Sequence, residues 1–569
     1  MTFVAWAVFL VATGYTIWDG VRRTIGAKSM EEFFAAGRSI PWWAAGLSVM
    51  ATQLSAITII GGVGMGYENG LEWVQSYFAL PFALVVLCIW FVPMFRKHPV
   101  LTAYEHLERR FGPITRTLTS LTFLVSRCLA FGIVLYAPAV VFSVMTGMSI
   151  AATVWATGLL TTAYTVLGGI GGVVWTDVKQ MLVIVLGIGT CISVLAWETV
   201  SQLSFTGVIE SLGVAHKLNA VEINDPAWNF TPVAPDGSLV NSFWADKYNL
   251  WTGLFGTFFL FLSYFGCDQV QVQSILTSRS VDASRRALLM SAFTKIPLQL
   301  MVLFTGGLLY LHHSLGSEPL LFQPNDQERV ATLEGEAKSL YDAAALAHAA
   351  AAAERATTLK LISKSTEPDL ALVSRFRASV AAAEKARKDA RAAVGAPGDT
   401  NYVFPDFIFR ELPKPLLGLM LAAIFAAAIS SAAGALSSLT SATMVDLYRR
   451  WIRPNADDKS TLRSSKIAMT FWGIAATASA VWLGGGPLLE RVNEVGSWFY
   501  GSILGVFLLG LMVKRASGLA ASSALVGGLT IVVLVHNSYQ IAFLWYNLVG
   551  CVGALAVGCV VTLAAPKRS

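Results

Sequence analysis

The chain carries little charge for its length. Only 13% of its 569 residues are Asp, Glu, Lys or Arg, whereas 55% are hydrophobic. A water-soluble protein of this length needs far more charged residues to cover its surface, so the composition excludes an ordinary soluble protein. Cysteine is also scarce: six residues lie in apolar segments without any CxxC spacing. A disulfide framework and a cysteine-based metal site are therefore not expected.

Motifs of the common enzyme classes are missing as well. The sequence contains no phosphate-binding loop and no HExxH pattern. His312 and His313 are adjacent, but no other metal ligands cluster around them in the sequence. We therefore do not expect an enzyme, and we expect no cofactor.

Long apolar segments recur along the whole chain. A helix of about 20 apolar residues spans about 30 Å of hydrocarbon. The sequence therefore predicts an all-α polytopic membrane protein, embedded in a lipid bilayer, with about thirteen transmembrane helices. They lie near residues 2–20, 42–66, 72–95, 115–146, 150–168, 173–197, 249–277, 288–313, 415–447, 465–484, 487–513, 517–536 and 540–564.

Basic residues are confined to alternate short loops. Short loops rich in Lys and Arg remain in the cytoplasm. This rule puts the N-terminus outside and the C-terminus in the cytoplasm, and it explains the net charge of +6 without a nucleic-acid partner. The basic loops lie within residues 22–38, 96–110, 279–286, 449–463, 514–515 and 567–568.

Two segments lie outside the predicted spans. Residues 198–248 form a polar loop, which the topology makes extracytoplasmic. Residues 316–400 are rich in Ala, Glu, Lys and Arg, which favour helix, and the turn residues Gly395, Pro397 and Gly398 end them. We expect an extracytoplasmic helical hairpin here. It is either an insertion without a role in transport or a module that binds a partner or covers a gate.

The span at 415–447 is unusually rich in hydroxyl groups. Such side chains in an apolar helix either allow close helix packing or bind something. Neutral hydroxyls and carbonyls are suitable ligands for a small hard cation such as sodium. Both interpretations stay open from composition alone for Ser430, Ser431, Ser437, Ser438, Thr440 and Ser441.

Two spans contain helix-breaking or polar residues where a continuous apolar helix would be possible. In 42–66 the polar run ATQLSAIT is followed by four glycines, and 249–277 contains SYFGCDQVQVQS. Broken helices mark the binding site of transporters that are built from inverted repeats. If 42–197 is one five-helix repeat and 249–513 is the other, both breaks fall at the first helix of a repeat. One helix in 1–23 then precedes the repeats, and two in 517–564 follow them.

Several motifs in the right order resemble the sodium/solute symporter family. They include EEFFAAGRSIPWWAAGLSVMATQLSAIT, VLTAYEHLERRFG, TAYTVLGGIGGVVWTDVKQ, AAISSAAGALSSLTSATMVDLY and GSWFYGSILGVFLLGLMVKRA. The likeness is greatest to the iodide, monocarboxylate and multivitamin branch and to bacterial relatives. It implies a leucine-transporter-type fold with two inverted five-helix repeats, alternating access, sodium as the coupling ion, and residence in a bacterial inner (plasma) membrane.

The resemblance also implies a sodium site between the break of the first core helix and the eighth core helix. A second site in some family members uses further serines and an aspartate on the fifth core helix. Here Asp177 is present, but Ala433 and Gly434 replace those serines. One sodium ion is therefore expected, and Asp177 is either a coupling or a structural residue. The implied sodium ligands are Ala51, Leu54, Ala427, Ser430 and Ser431.

Candidate substrate residues lie beside the two breaks and on neighbouring helices. The resemblance puts Tyr77 where the sugar carriers have a glutamate, which disfavours a sugar. The candidates are Thr52, Gln53, Ser55, Thr58, Gln75, Tyr77, Arg127, Asp268 and Gln269.

Arg127 is a charge inside an apolar span, which costs about 2.5–3.5 kcal/mol on insertion scales. A substrate carboxylate, the carboxylate of Asp268, or snorkelling towards an interface can each offset this cost. Asp268 raises the same question, and in neutral form it is a candidate for proton coupling.

These observations predict a sodium-coupled symporter that imports a small organic solute, a carboxylate or another anion. Proton-coupled transport and a membrane solute sensor are the alternatives. The sequence leaves the oligomeric state open.

Overall fold

The computed structural model describes residues 3–24, 39–97, 100–223, 231–232, 239–240, 242–316, 318–365, 369–396, 398–483 and 486–564. Within these residues the first half of the chain forms ten helices. They are α1 (Phe3–Thr24), α2 (Trp42–Gln53), α3 (Ala56–Asn69), α4 (Glu72–Lys97), α5 (Tyr104–Phe111), α6 (Pro113–Thr146), α7 (Ile150–Leu167), α8 (Val174–Val214), α9 (Thr252–Gly266) and α10 (Gln269–Leu276).

The second half adds ten more helices. They are α11 (Val281–Leu315), α12 (Pro324–Val330), α13 (Gly335–Ile362), α14 (Leu370–Val394), α15 (Thr400–Arg410), α16 (Lys414–Ile452), α17 (Asp458–Leu483), α18 (Leu488–Met512), α19 (Gly518–Ser538) and α20 (Trp545–Ala564).

Some elements are short or continuous with a neighbour. α4 begins with the 3₁₀ turn Glu72–Tyr77, and α7 and α8 are parts of the continuous helical run Ile150–Val214. A single helical turn covers Ser242–Ala245. The described residues also contain a small sheet in which β2 (Leu239–Val240) lies between the antiparallel β1 (Thr231–Pro232) and the parallel β3 (Tyr539–Gln540).

Ten helices of the described residues are long and apolar enough to cross a membrane, or eleven if the bent pair α2–α3 is one span. The expected count of about thirteen is therefore not confirmed. In the two other predicted spans, the apolar stretches are the shorter Phe3–Tyr15, which is part of α1, and Thr252–Gly266. In the second of these the predicted break shortens the helix, because α9 ends at Gly266 and α10 starts at Gln269.

Both predicted breaks are present. α2 and α3 meet at an angle of 59° around Leu54 and Ser55. The other break is capped by Asp268, whose carboxylate accepts a hydrogen bond from Val270 N at 2.8 Å. The glycines of α3 serve close packing rather than the break itself. A Cβ atom on Gly64 would lie only 2.6 Å from the carbonyl oxygen of Thr400 at the start of α15.

The centre of the fold is α16. Its most apolar window is 89% buried, the highest share among the candidate spans of the described residues. Several of its hydroxyls donate to carbonyls of the preceding turn, as Ser438 does to Ala435 O at 2.8 Å and Thr440 to Leu436 O at 2.7 Å. These hydroxyls are satisfied inside the helix, so they fit the close-packing interpretation.

The hairpin predicted in 316–400 is present as α13 and α14, which pack along each other. Asp369 caps α14 by accepting from Ala371 N at 3.2 Å, and Gly395 ends this helix in a left-handed conformation with φ of +65°. α15 follows the hairpin directly and leads into α16.

Candidate functional site

A cavity of about 110 Å³ lies beside the break between α2 and α3. Its walls come from eight helices: α2, α3, α4, α6, α9, α11, α16 and α18. Six of the nine residues predicted to contact a substrate line it, together with one of the predicted sodium ligands, Ser431. These six are Thr52, Gln53, Ser55, Thr58, Tyr77 and Arg127.

The other three predicted substrate residues lie outside the cavity wall and have protein partners. Gln75 accepts a hydrogen bond from Glu222 N at 2.9 Å and donates to Tyr248 O at 3.0 Å. Gln269 accepts from Ala103 N and donates to Leu101 O, both at 2.9 Å. These two amides tie loops to the helix bundle, and Asp268 pairs with Arg127.

Arg127 has a protein counter-ion. Its Nη1 lies 3.6 Å from Oδ2 of Asp268, which also accepts a hydrogen bond from the hydroxyl of Tyr500 at 3.1 Å. Arg127 is only 7% exposed, so snorkelling to an interface does not describe it. Of the three possible explanations for its charge, the geometry fits the pair with Asp268. This pair joins α6 to the break between α9 and α10.

The sequence reasoning missed Lys295, a second cation in the cavity wall. It belongs to α11 and is 3% exposed. Its Nζ lies 5.7 Å from the centre of the Tyr77 ring, close enough for a cation–π contact. No carboxylate among the described residues pairs with it. The test that singled out Arg127, a charge inside an apolar span, applies equally to Lys295 in the predicted span 288–313.

The remaining wall is largely apolar. Phe261 of α9 faces Tyr77 with ring centres 5.7 Å apart. Tyr264 and Tyr500 add polar atoms near the Arg127–Asp268 pair, and Asn493 adds an amide elsewhere in the wall. Apolar cavity residues carry no sequence signal of their own, because they resemble any other core position. They are Ile57, Val134, Leu260, Phe261, Leu489 and Val492.

α2 and α16 meet next to this cavity. The hydroxyl of Ser431 donates to Ala427 O at 2.9 Å and faces the cavity with its lone pairs available. α2 ends at Gln53, so the carbonyls of its last turn, including Ala51, and that of Leu54 have no partner in a continuing helix. All five predicted sodium ligands are buried.

Asp177 of α8 connects the same two helices. Ser48 of α2 donates to its Oδ2 at 2.5 Å, and Ser430 of α16 donates to its Oδ1. The carboxylate is fully buried. Asp177 therefore bridges α2 and α16 through their hydroxyls.

Ala433 and Gly434, which stand where some family members have serines, are closely packed. A Cβ atom on Gly434 would lie 3.2 Å from Cγ2 of Thr52, so a larger side chain would require Thr52 to shift. Ala433 is fully buried beside Ile429 and Tyr164. Packing therefore accounts for both small residues.

The sequence matches one known protein family over most of its length. The model of the sodium:solute symporter family matches residues 33–337 and 370–530, which is most of the chain. The chain belongs to the sodium:solute symporter family. Its predicted membership is confirmed, and so is the prediction that it is a transporter and not an enzyme.

Curated relatives of this symporter transport different solutes. The human sodium/iodide cotransporter is 25% identical over 538 residues, covering 93% of this chain and 69% of the relative. The sodium/sialic acid symporter of Aliivibrio fischeri is 24% identical, covering 93% and 87%. The mouse sodium-coupled monocarboxylate transporter 2 is 22% identical, covering 100% and 85%.

A solved structure agrees with the fold of this symporter. The substrate-bound, outward-open state of a Na⁺-coupled sialic acid symporter superposes with a TM-score of 0.74 at 22% identity. The match covers 99% of this chain and 98% of that one. The predicted leucine-transporter-type fold is therefore confirmed.

Proposed function

We propose that this symporter uses a sodium gradient to import a small organic anion by alternating access. The observation that carries the anionic substrate is Lys295, a buried cation in the cavity wall without a carboxylate partner among the described residues. Family membership and the names of the relatives support sodium as the coupling ion.

The charges around the cavity support an anion in particular. Arg127 and Lys295 are the two cations of the described wall, and Asp268 neutralises only Arg127. A buried charge is costly unless it is paired. A substrate carboxylate beside Lys295 would supply the missing counter-charge, and a charge-assisted hydrogen bond would strengthen the contact.

The rest of the wall supports a solute with one polar and one apolar end. Ser55 and Thr58 offer hydroxyls at the start of α3, whereas Leu260, Phe261 and Val492 form an apolar surface. A small carboxylate with a short hydrocarbon part matches this arrangement. A sugar would leave several hydroxyls facing apolar side chains, and each unsatisfied polar group costs binding energy.

For sodium we propose the junction of α2 and α16, with the carbonyls of Ala51, Leu54 and Ala427 and the hydroxyls of Ser430 and Ser431. Oxygen ligands of this kind suit a hard cation, and the C-terminal end of α2 adds a negative helix dipole. Sodium there would hold α2 against α16. It would thereby position Thr52, Gln53 and Ser55 for the solute, so that each ligand favours the same state.

We also propose the orientation and the membrane. The basic loops, including the end of α4 at Arg96 and Lys97, would face the cytoplasm. The α13–α14 hairpin and the N-terminus would then lie outside a bacterial inner membrane.

A proton is the second candidate for the coupling ion. Asp177 is a fully buried carboxylate that bridges α2 and α16, so its protonation would alter the same junction that we assign to sodium. The two candidates differ in the gradient that drives uptake.

The test is uptake by the full chain in proteoliposomes with imposed gradients. The panel contains small carboxylates, iodide, a neutral amide of each carboxylate, and glucose. We expect an inward sodium gradient to drive accumulation of a carboxylate, while its amide and glucose remain outside. Uptake driven only by an inward proton gradient would instead identify the proton as the coupling ion. Equal transport of carboxylate and amide would refute the assigned role of Lys295.

A further inference from the structure

The α13–α14 hairpin is attached to the broken helix that lines the cavity. Tyr67 lies near the end of α3, and its hydroxyl donates to the carboxylate of Glu318, just before α12. The Tyr67 ring is packed among Tyr310, His313 and Phe322, with ring centres between 5.6 and 6.1 Å away. The end of α3 is therefore held by an aromatic cage and a buried carboxylate.

Both helices of the hairpin contact that carboxylate. From α13, Arg355 Nη2 lies 2.6 Å and His348 Nε2 3.5 Å from Oε2 of Glu318. From α14, Arg387 Nη1 lies 3.3 Å from Oε1. Glu318 is therefore the point where the hairpin and α3 meet, and we call Tyr67, Glu318, His348, Arg355 and Arg387 the Glu318 cluster.

A second set of contacts closes the base of the hairpin. Arg387 Nη2 and Arg391 Nη1 donate to Oδ1 of Asp399 at 3.0 and 2.9 Å. The next residue, Thr400, donates to the carboxylate of Glu68 at the end of α3. The hairpin thus reaches α3 by two separate routes, through Glu318 and through Thr400.

The Glu318 cluster is buried and held together by charge. The side chains of Glu318 and Arg355 are 4% and 3% exposed. Burial alone would raise the pKa of Glu318. The contact with His348 and the guanidinium groups of Arg355 and Arg387 outweigh burial and hold the pKa of Glu318 well below its usual range. Glu318 therefore stays ionised, and removing a single partner leaves buried charge uncompensated.

α3 connects this cluster to the binding cavity. The same helix that ends beside Tyr67 begins at the break, where Ser55, Ile57 and Thr58 line the cavity. Because α3 is one continuous helix of 14 residues, fixing its far end would restrain the cavity wall at its start. The family model leaves out residues 338–369, which include most of α13 with His348 and Arg355.

We propose that the hairpin is a clamp that holds α3 in place and restrains opening of the cavity on the hairpin side. This role rests on the proposed transport function and concerns the rate of opening rather than the choice of solute. The partners at Glu318 must separate before α3 can move away from α11 and α15. The clamp therefore slows the opening of the cavity on the hairpin side.

The test measures opening directly. Ile57→Cys places a thiol in the cavity wall, and a polar maleimide added to the full chain in detergent reports how often the cavity opens. The six native cysteines are buried or half-buried, and their labelling is subtracted with the parent protein. Tyr67→Phe removes only the hydroxyl that reaches Glu318 and keeps the ring.

Loss of a hydrogen bond to a charged group shifts an equilibrium about tenfold or more. We expect Tyr67→Phe to raise the labelling rate of the Ile57→Cys thiol by about tenfold. The matched control is Arg375→Met, which breaks the exposed pair with Glu354 on the same hairpin, away from α3. Its labelling rate should equal that of the Ile57→Cys protein without a second substitution.

Thr400→Val tests the second route independently and should also raise labelling. Both variants are near-isosteric, and elution as a single monodisperse peak verifies their fold. Unchanged labelling in both variants would overturn the clamp, and so would an equal rise in Arg375→Met. Labelling needs neither solute nor gradient. Failure of the clamp therefore leaves the transport proposal standing, and failure of sodium-driven uptake does not alter the labelling result.

Discussion

Replacing Lys295 with methionine should have opposite effects on solute binding and on stability. The substitution keeps most of the side-chain volume and removes a buried charge that has no carboxylate partner among the described residues. A hydrogen bond to a charged group contributes about 1.5–3 kcal/mol, so the affinity for the anionic solute should fall by about 10- to 150-fold. The unliganded protein should become more stable, because the uncompensated charge is gone.

The assays are solute affinity from isothermal titration calorimetry and melting temperature in detergent, both at saturating sodium. Lys295→Arg is the control that keeps the charge, and we expect it to retain measurable affinity for the anion. Affinity within about twofold of the parent protein in Lys295→Met would refute the anion site, because the lost contact should cost far more. A large fall in melting temperature would show instead that Lys295 is a structural residue.

Three other predictions follow from the same geometry. Arg127→Gln should destabilise the protein by about 3–5 kcal/mol, because it leaves Asp268 buried without its counter-ion, and adding Asp268→Asn should recover part of the loss in melting temperature. Ser431→Ala should abolish the rise in melting temperature on adding sodium, whereas Ser438→Ala on the same helix should keep it; a retained shift in Ser431→Ala contradicts the sodium site. Burial lowers the pKa of Lys217 from 10.5 to about 8, so the folded protein loses this proton at a lower pH than the unfolded chain does. The folded state therefore gains about 3 kcal/mol of stability as the pH rises from 8 to 10.5. Lys217→Met lacks this gain, so over that range the melting temperature of the parent protein should rise relative to that of the variant.

Much of the fold could be predicted from the sequence because membrane helices are long and apolar. The breaks were visible as polar residues within apolar runs, and the hairpin as an Ala-rich segment between turn residues. The number of transmembrane spans was harder to predict from the sequence. α1 (Phe3–Thr24) covers its predicted segment, whereas α9 ends at Gly266, well before the predicted end of its span at 277.

The site was predicted only in part, because sequence gives positions along a helix but not partners across helices. Thr52, Ser55 and Thr58 line the cavity because they flank a break that was visible. Gln75 and Gln269 looked equally suitable, yet their amides bond to backbone groups of distant loops. The hydrogen-bond partners of Gln75 and Gln269 are set by tertiary contacts, which composition and periodicity do not encode.

The hydroxyl of Ser431 has a consequence for the transport cycle as a whole. It donates to Ala427 O within its own helix, so its hydrogen is satisfied whether or not a cation lies nearby. Its lone pairs can accept a cation without rotation of the side chain. An exchange carrier switches between its outward-facing and inward-facing states only when loaded, but a symporter must also make this switch without its ligands. As the proposed sodium ligand, a hydroxyl that is hydrogen-bonded in both conditions would let the unloaded protein reorient without leaving an unpaired polar group in its interior.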